Sequence, residues 1–243
     1  MPDQPPAIHT FDVDDLHDDE ANALTKRDRI VTSLRRMIAS GELPRGSKIK
    51  QDALAARFQT SITPVREALR QLQAEGLLTA QPNRGVRVAD ADYEGVKSVY
   101  LQRRLIEPYA MRRAVRRLSP RDLEVAQRLV GEMETASAQN DTKVLDEKNY
   151  RFHFLFYENV GNQGLTESIE SLWQQFPWDI LQALPDRSAK SAEEHRAILE
   201  AVRAGDLEVV SQRSEEHIAS SFQRLAQHLT GREVPDPFDL DND

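Results

Sequence analysis

The chain has 243 residues and no cysteine, which excludes disulfides and thiolate metal sites. Hydrophobic residues make up 39% of it, enough for a packed core. No apolar run is long enough to span a bilayer and no basic-then-apolar leader opens the chain, so a cytoplasmic protein of one or two domains is expected. The net charge of −8 divides unevenly: residues 25–90 hold 13 Lys/Arg against 6 Asp/Glu, or +7, and the remainder carries −15. An acidic protein with one basic module points to a polyanionic partner for that module; the alternative is that these side chains only solvate helix faces.

Residues 1–23 read as an acidic, disordered tail. Residues 1–20 hold seven Asp/Glu, three Pro and no Lys or Arg. Residues 24–88 read as a winged helix-turn-helix. A first helix over 27–40 spaces Ile30, Leu34 and Met37 helically and stops at Gly41. A second over 52–58 puts Leu54, Ala55 and Phe58 on one face. Gln59 and Thr60 break that pattern. Ser61 or Thr63 then caps a third helix, with Pro64 in its first turn, where amide protons have no intrahelical partner. There Val65, Leu69 and Leu72 point inward. Ile62, Thr63, Arg66 and Arg70 form the opposite face, short, polar and cationic, as a major groove requires. Residues 77–88 read as a hairpin around the turn Pro82-Asn83-Arg84-Gly85, with Arg84 and Arg87 on the wing.

A linker over 89–92 leads into residues 93–230, an antiparallel bundle of six or seven helices, so the fold class is mainly α. The first bundle helix, 93–117, turns Val96, Tyr100, Ile106 and Ala110 inward. Ser119-Pro120-Arg121-Asp122 is a helix start, with a capping hydroxyl, a first-turn proline and an acid at the third position. Further helices are predicted over 142–160, 165–176, 178–184, 191–204 and 206–229, with Ser191 and Glu194 as a capping box. Residues 231–243 form a second acidic tail.

His153 follows Asn149 by four residues, so both leave one helical face. His195 shares a stripe with Ile198, Leu199 and Val202, and His217 with Val210 and Ile218. Three inward histidines are either separate hydrogen-bonded core residues or one metal site, since neutral imidazole is the commonest ligand for Zn and related ions. Three histidines with an open position also suit a hydrolase. No HExxH, nucleophile elbow or phosphate loop accompanies them, and Glu194 is better explained as a cap than as a base.

The run ITPVREALRQLQAEGLL, with SGELPRGSKI before it and PNRGVRV after it, resembles the DNA-binding domain of GntR-family bacterial transcription regulators. That resemblance implies a homodimer on a short two-fold operator of double-stranded DNA, contacted by Ser61, Thr63, Arg66 and the wing. The family usually has Gly-Val before the serine and Arg after it. Here these are Gln59-Thr60 and Ile62, so a different operator is expected. The segments RRLIEP, NYRFHFLFYENVGNQGL, EEHRAILEAVRAGD and SEEH are similar to the helical FCD domain of one branch of that family. This second resemblance implies a divalent metal on Asn149, His153, His195 and His217, with Asn149 in place of the commoner Asp. Such a donor set suits Zn or Ni. It also implies that Arg103 lines an effector cavity, where a guanidinium beside a metal suits a small organic acid. The competing reading of Arg103 is an ion pair with Glu107 at i+4. Tyr100, Tyr157 and Trp178 either narrow that cavity or fill the core. The combined expectation is a ligand-responsive repressor; the alternative is a metal sensor without an organic effector.

Overall fold

Thr25 accepts a hydrogen bond from the Asp28 amide and caps α1 (Lys26–Ala39), whose Ile30, Val31, Leu34, Met37 and Ile38 form one buried face. The structure is a computed structural model that describes residues 25–81, 85–184 and 187–239. The predicted tail at 1–23 lies outside them, as do Pro82, Asn83 and Arg84 of the predicted turn. α2 (Gln51–Arg57) and α3 (Ile62–Ala74) follow. α3 buries Val65, Ala68, Leu69 and Leu72 against the helices before it, each at most 2% exposed. Each buried Val or Leu contributes about 1.5–3 kcal/mol. The expected hairpin forms from β2 (Leu78–Gln81) and β3 (Gly85–Val88), paired antiparallel from Leu78↔Val88 to Gln81↔Gly85. A third strand, β1 (Lys48–Ile49), pairs with the other edge of β3. Two residues are too few to show an alternating pattern, which is why the sequence reading missed it.

The turn between α2 and α3 carries a local cost. Gln59 sits at φ 48°, in the left-handed region. A side chain there costs about 1–2 kcal/mol. This is the position where the resemblance leads one to expect glycine. Gln59→Gly is expected to stabilise the head by about 0.5–1 kcal/mol, once the extra freedom of glycine in the unfolded chain is subtracted. A raised melting temperature supports this; an unchanged or lower one contradicts it.

Seven helices follow among the described residues: α4 (Tyr93–Val115), α5 (Pro120–Gln139), α6 (Thr142–Glu158), α7 (Gln163–Gln175), α8 (Trp178–Gln182), α9 (Arg187–Ala204) and α10 (Leu207–Thr230). Ser119 and Asp122 form the expected reciprocal capping box at the start of α5. α4 lies along α10, and α5 packs on α6 and α9. The start of α9 differs from expectation. Nothing after Pro185 stops a helix, so α9 begins at Arg187 and Ser191 falls inside it. The predicted capping box of Ser191 and Glu194 therefore does not exist, and both side chains are engaged elsewhere. Past Gly231, residues 232–239 return to the bundle: Val234 packs against the cluster that holds Tyr100 and Phe222, and the Tyr100 hydroxyl donates to Asp236 at 2.7 Å.

Head and bundle touch away from their linker. Arg45, in the turn before β1, places Nε and Nη2 on the Asp179 carboxylate of α8 at 2.9–3.2 Å, and its Nη1 donates to the Ala89 carbonyl. None of the described helices is long and apolar enough to cross a membrane.

Candidate DNA-reading surface and metal centre

Burying Val65, Leu69 and Leu72 forces the other side of α3 outward. Ser61, Thr63, Arg66 and Arg70 are exposed, and Ile62 is half-buried at the first helical position. Ser61 is the N-cap residue, but its hydroxyl makes no capping hydrogen bond. Arg66 Nε donates to Gln51 Oε1 at 3.1 Å, which ties it loosely to α2. Arg87 on β3 donates from Nη1 to the Gly46 carbonyl at 2.7 Å and braces the turn before β1. Arg84 lies outside the described residues. The sequence reading passed over the neighbours of this helix start. A depression of about 790 Å³ joins Thr25, Lys26 and Arg27 at the start of α1 to residues 59–61, Thr63, Pro64 and Glu67. The first turns of α1 and α3 border it, and the basic Lys26 and Arg27 stand there with the acidic Glu67. The signal available in the sequence was the basic pair Lys26-Arg27 at a helix start.

The second site lies inside the bundle. α6 places His153, α9 places His195 and α10 places His217, which are 3%, 0% and 2% exposed. One ring nitrogen from each lies within 4.8 Å of the others. His153 Nε2 and His195 Nε2 are 2.9 Å apart. The opposite ring nitrogens face outward to polar partners. His195 Nδ1 is 2.5 Å from the Ser191 carbonyl, His217 Nδ1 is 2.8 Å from Glu194 Oε2, and His153 Nδ1 is 3.4 Å from the Tyr157 hydroxyl. A carbonyl or carboxylate can only accept, so Nδ1 of His195 and of His217 carries the hydrogen, and in the neutral ring Nε2 keeps its lone pair. The two Nε2 atoms of His153 and His195, 2.9 Å apart, can share either a hydrogen, if His153 carries it on Nε2, or a cation. Ligands about 2.0–2.1 Å from one ion, at angles of 90–109°, lie about 2.9–3.4 Å apart, so the His153–His195 spacing suits a shared metal, with the third imidazole within 4.8 Å. One turn before His153, the Asn149 side-chain oxygen is buried without a hydrogen-bond partner, as a fourth donor awaiting a cation would be. The donor set therefore fits a divalent ion.

Beside this centre runs a buried polar network. Arg103 Nε donates to Glu107 at 2.6 Å, the Tyr157 hydroxyl at 2.7 Å and Trp173 Nε1 at 3.0 Å. Burial, then the Glu107 charge, hold the Tyr157 phenol well above its ordinary pKa, so it keeps the proton it donates. The Arg103 guanidinium also lies 4.7–5.2 Å from the rings of Trp173, Phe176 and Trp178. Its Nη1 is buried and makes no hydrogen bond. Of the two readings of Arg103, the ion pair with Glu107 is the one present in this structure. Tyr100 stacks on Phe222 at 4.1 Å in a separate hydrophobic cluster from Phe152 and Tyr157, which flank the histidines.

A winged head with a cationic reading helix, set on an all-helical bundle, defines a DNA-binding transcription regulator rather than an enzyme. Two family models match: "Bacterial regulatory proteins, gntR family" over residues 26–88 and "FCD domain" over residues 98–220. The chain is 31% identical over 200 residues to the "Probable D-xylose utilization operon transcriptional repressor" of Paenarthrobacter nicotinovorans, covering 80% of this chain and 85% of that one. It is 28% identical over 227 residues to the galactonate operon transcriptional repressor of Escherichia coli (strain K12), covering 84% and 98%. The solved structure of E. coli McbR/YncC matches with a TM-score of 0.76 at 25% identity, over 84% of this chain and 99% of that one. The chain belongs to the GntR family of bacterial regulators, in the branch that carries an FCD domain.

Proposed function

We propose that the chain acts as a cytoplasmic homodimeric repressor whose head, residues 24–88, binds a two-fold operator, and whose bundle, residues 93–230, responds to a small organic acid. The bundle holds one divalent ion, Zn or Ni, through His153, His195, His217 and the Asn149 oxygen. The observation that carries this reading is the convergence of three buried imidazoles, with an unpartnered buried oxygen on Asn149 one helical turn before His153. The ion supplies a Lewis-acid point for one carboxylate oxygen. Arg103, whose Nη1 has a donor to spare, takes the other oxygen, and Tyr100 borders the effector on α4. Thermal-shift screening of small carboxylates against zinc-loaded and metal-stripped protein tests the effector half. An acid that stabilises only the loaded protein supports it; acids that bind both forms equally, or neither, overturn it.

The hold of Glu107 on Arg103 favours one second reading, in which the metal itself is the signal. Operator release on metal change alone, with no acid present, would select it.

For the head, Ser61, Ile62, Thr63, Arg66 and Arg70 face the major groove, with Arg87 on the wing. If six phosphates are neutralised per dimer, the log–log salt slope of operator binding should be about −5. Arg66→Ala is expected to abolish the specific operator shift while leaving the circular dichroism unchanged. A normal shift would remove α3 from the recognition role.

A further inference from the structure

We propose that Glu194 supplies the negative charge that the metal's own donors lack, acting through His217. This rests on the metal reading above. The proposed donors, three imidazoles and one amide oxygen, are all neutral. A divalent ion among them keeps its full positive charge in a place where the histidines are at most 3% exposed. Buried charge without a nearby counter-charge is costly. Glu107, linked to the centre through Tyr157, is already matched by Arg103. Glu194 touches a ligand directly. Its Oε2 is 2.8 Å from His217 Nδ1, and its side chain is 16% exposed against 3% for His217. It therefore sits at the rim of the centre, beside a ligand.

The placement has two consequences. Glu194 precedes His195 on α9 and reaches His217 on α10, so one carboxylate ties two ligand-bearing helices together. Its hydrogen bond also fixes the imidazole with Nε2 inward, and its charge raises the basicity of that nitrogen. The anionic character that direct ligation by a carboxylate would give is delivered here through one imidazole ring. Glu194 is a positioning and charge-supplying residue, not a ligand.

Glu194→Gln separates these effects, because the amide oxygen still accepts from Nδ1–H and only the charge is lost. Zinc affinity is measured by competition with a chromophoric chelator, on metal-stripped wild type, Glu194→Gln, Asn149→Asp and the double variant. Glu194→Gln is expected to weaken zinc binding at least about tenfold. Asn149→Asp is expected to recover most of that loss in the same chain. The melting temperatures of the stripped proteins should agree, showing that the loss is not one of packing. Zinc affinities of wild type and Glu194→Gln within about twofold of each other overturn the proposal and leave the metal site standing. A tenfold loss that Asn149→Asp does not recover overturns the charge role. Failure of wild type itself to bind zinc removes the metal reading, a separate result.

Discussion

Glu107→Ala is expected to destabilise the bundle by about 3–5 kcal/mol, the range for removing one partner of a buried ion pair. The substitution leaves the Arg103 guanidinium 1% exposed with its counter-charge gone. Trp173, Phe176 and Trp178 face that cation with their ring systems, which soften the loss without replacing a carboxylate. Tyr157 and Trp173 lose their acceptor at the same time. Glu107→Gln should fall between, because it still accepts hydrogen bonds but carries no charge. Urea unfolding checks this through the midpoint at constant m-value. A loss below about 1 kcal/mol for Glu107→Ala contradicts the network.

Chelation is expected to produce the second large effect. An ion present at 100 times its dissociation constant and bound only to the folded bundle adds about 2.7 kcal/mol. Stripping it should lower the melting temperature by roughly 5–10 °C in a chain of this size. His195→Ala should melt at one temperature with and without chelator, because His195 is the fully buried member of the triad and stands 2.9 Å from His153. If wild type shows no chelator sensitivity while it contains metal, the ion is not held by the fold.

The parts of this molecule that were legible in its sequence are those set by near neighbours along the chain. The inward stripe of α3, the Ser119–Asp122 box and the four-residue step from Asn149 to His153 each lie within one or two helical turns. His195 and His217 were found because each lies on an apolar stripe of its own helix, and His153 because it shares a helical face with Asn149. What stayed hidden depends on partners far along the chain. Glu107 gathers donors from α4, α6 and α7, up to 66 residues away. Arg45 meets Asp179 across 134 residues. Arg87 was read onto the wing, where β3 carries it, but its hydrogen bond to a carbonyl 41 residues earlier was not legible. Glu194 was assigned to a cap because a Ser-x-x-Glu spacing is a local signal, and that signal is also satisfied inside a longer helix whose side chains point to its neighbour α10. The resemblance to known regulators supplied what periodicity lacked, namely that the three stripes meet.

The most direct test of the metal centre is elemental analysis of full-length protein purified without a nickel column, followed by zinc and nickel titration of the stripped form. One divalent ion per chain, lost on chelation and rebound with a dissociation constant well below about 100 μM, is the predicted result. Protein that contains no metal and binds neither ion better than about 100 μM would contradict it, and His153, His195 and His217 would then be core residues that share a proton rather than a cation.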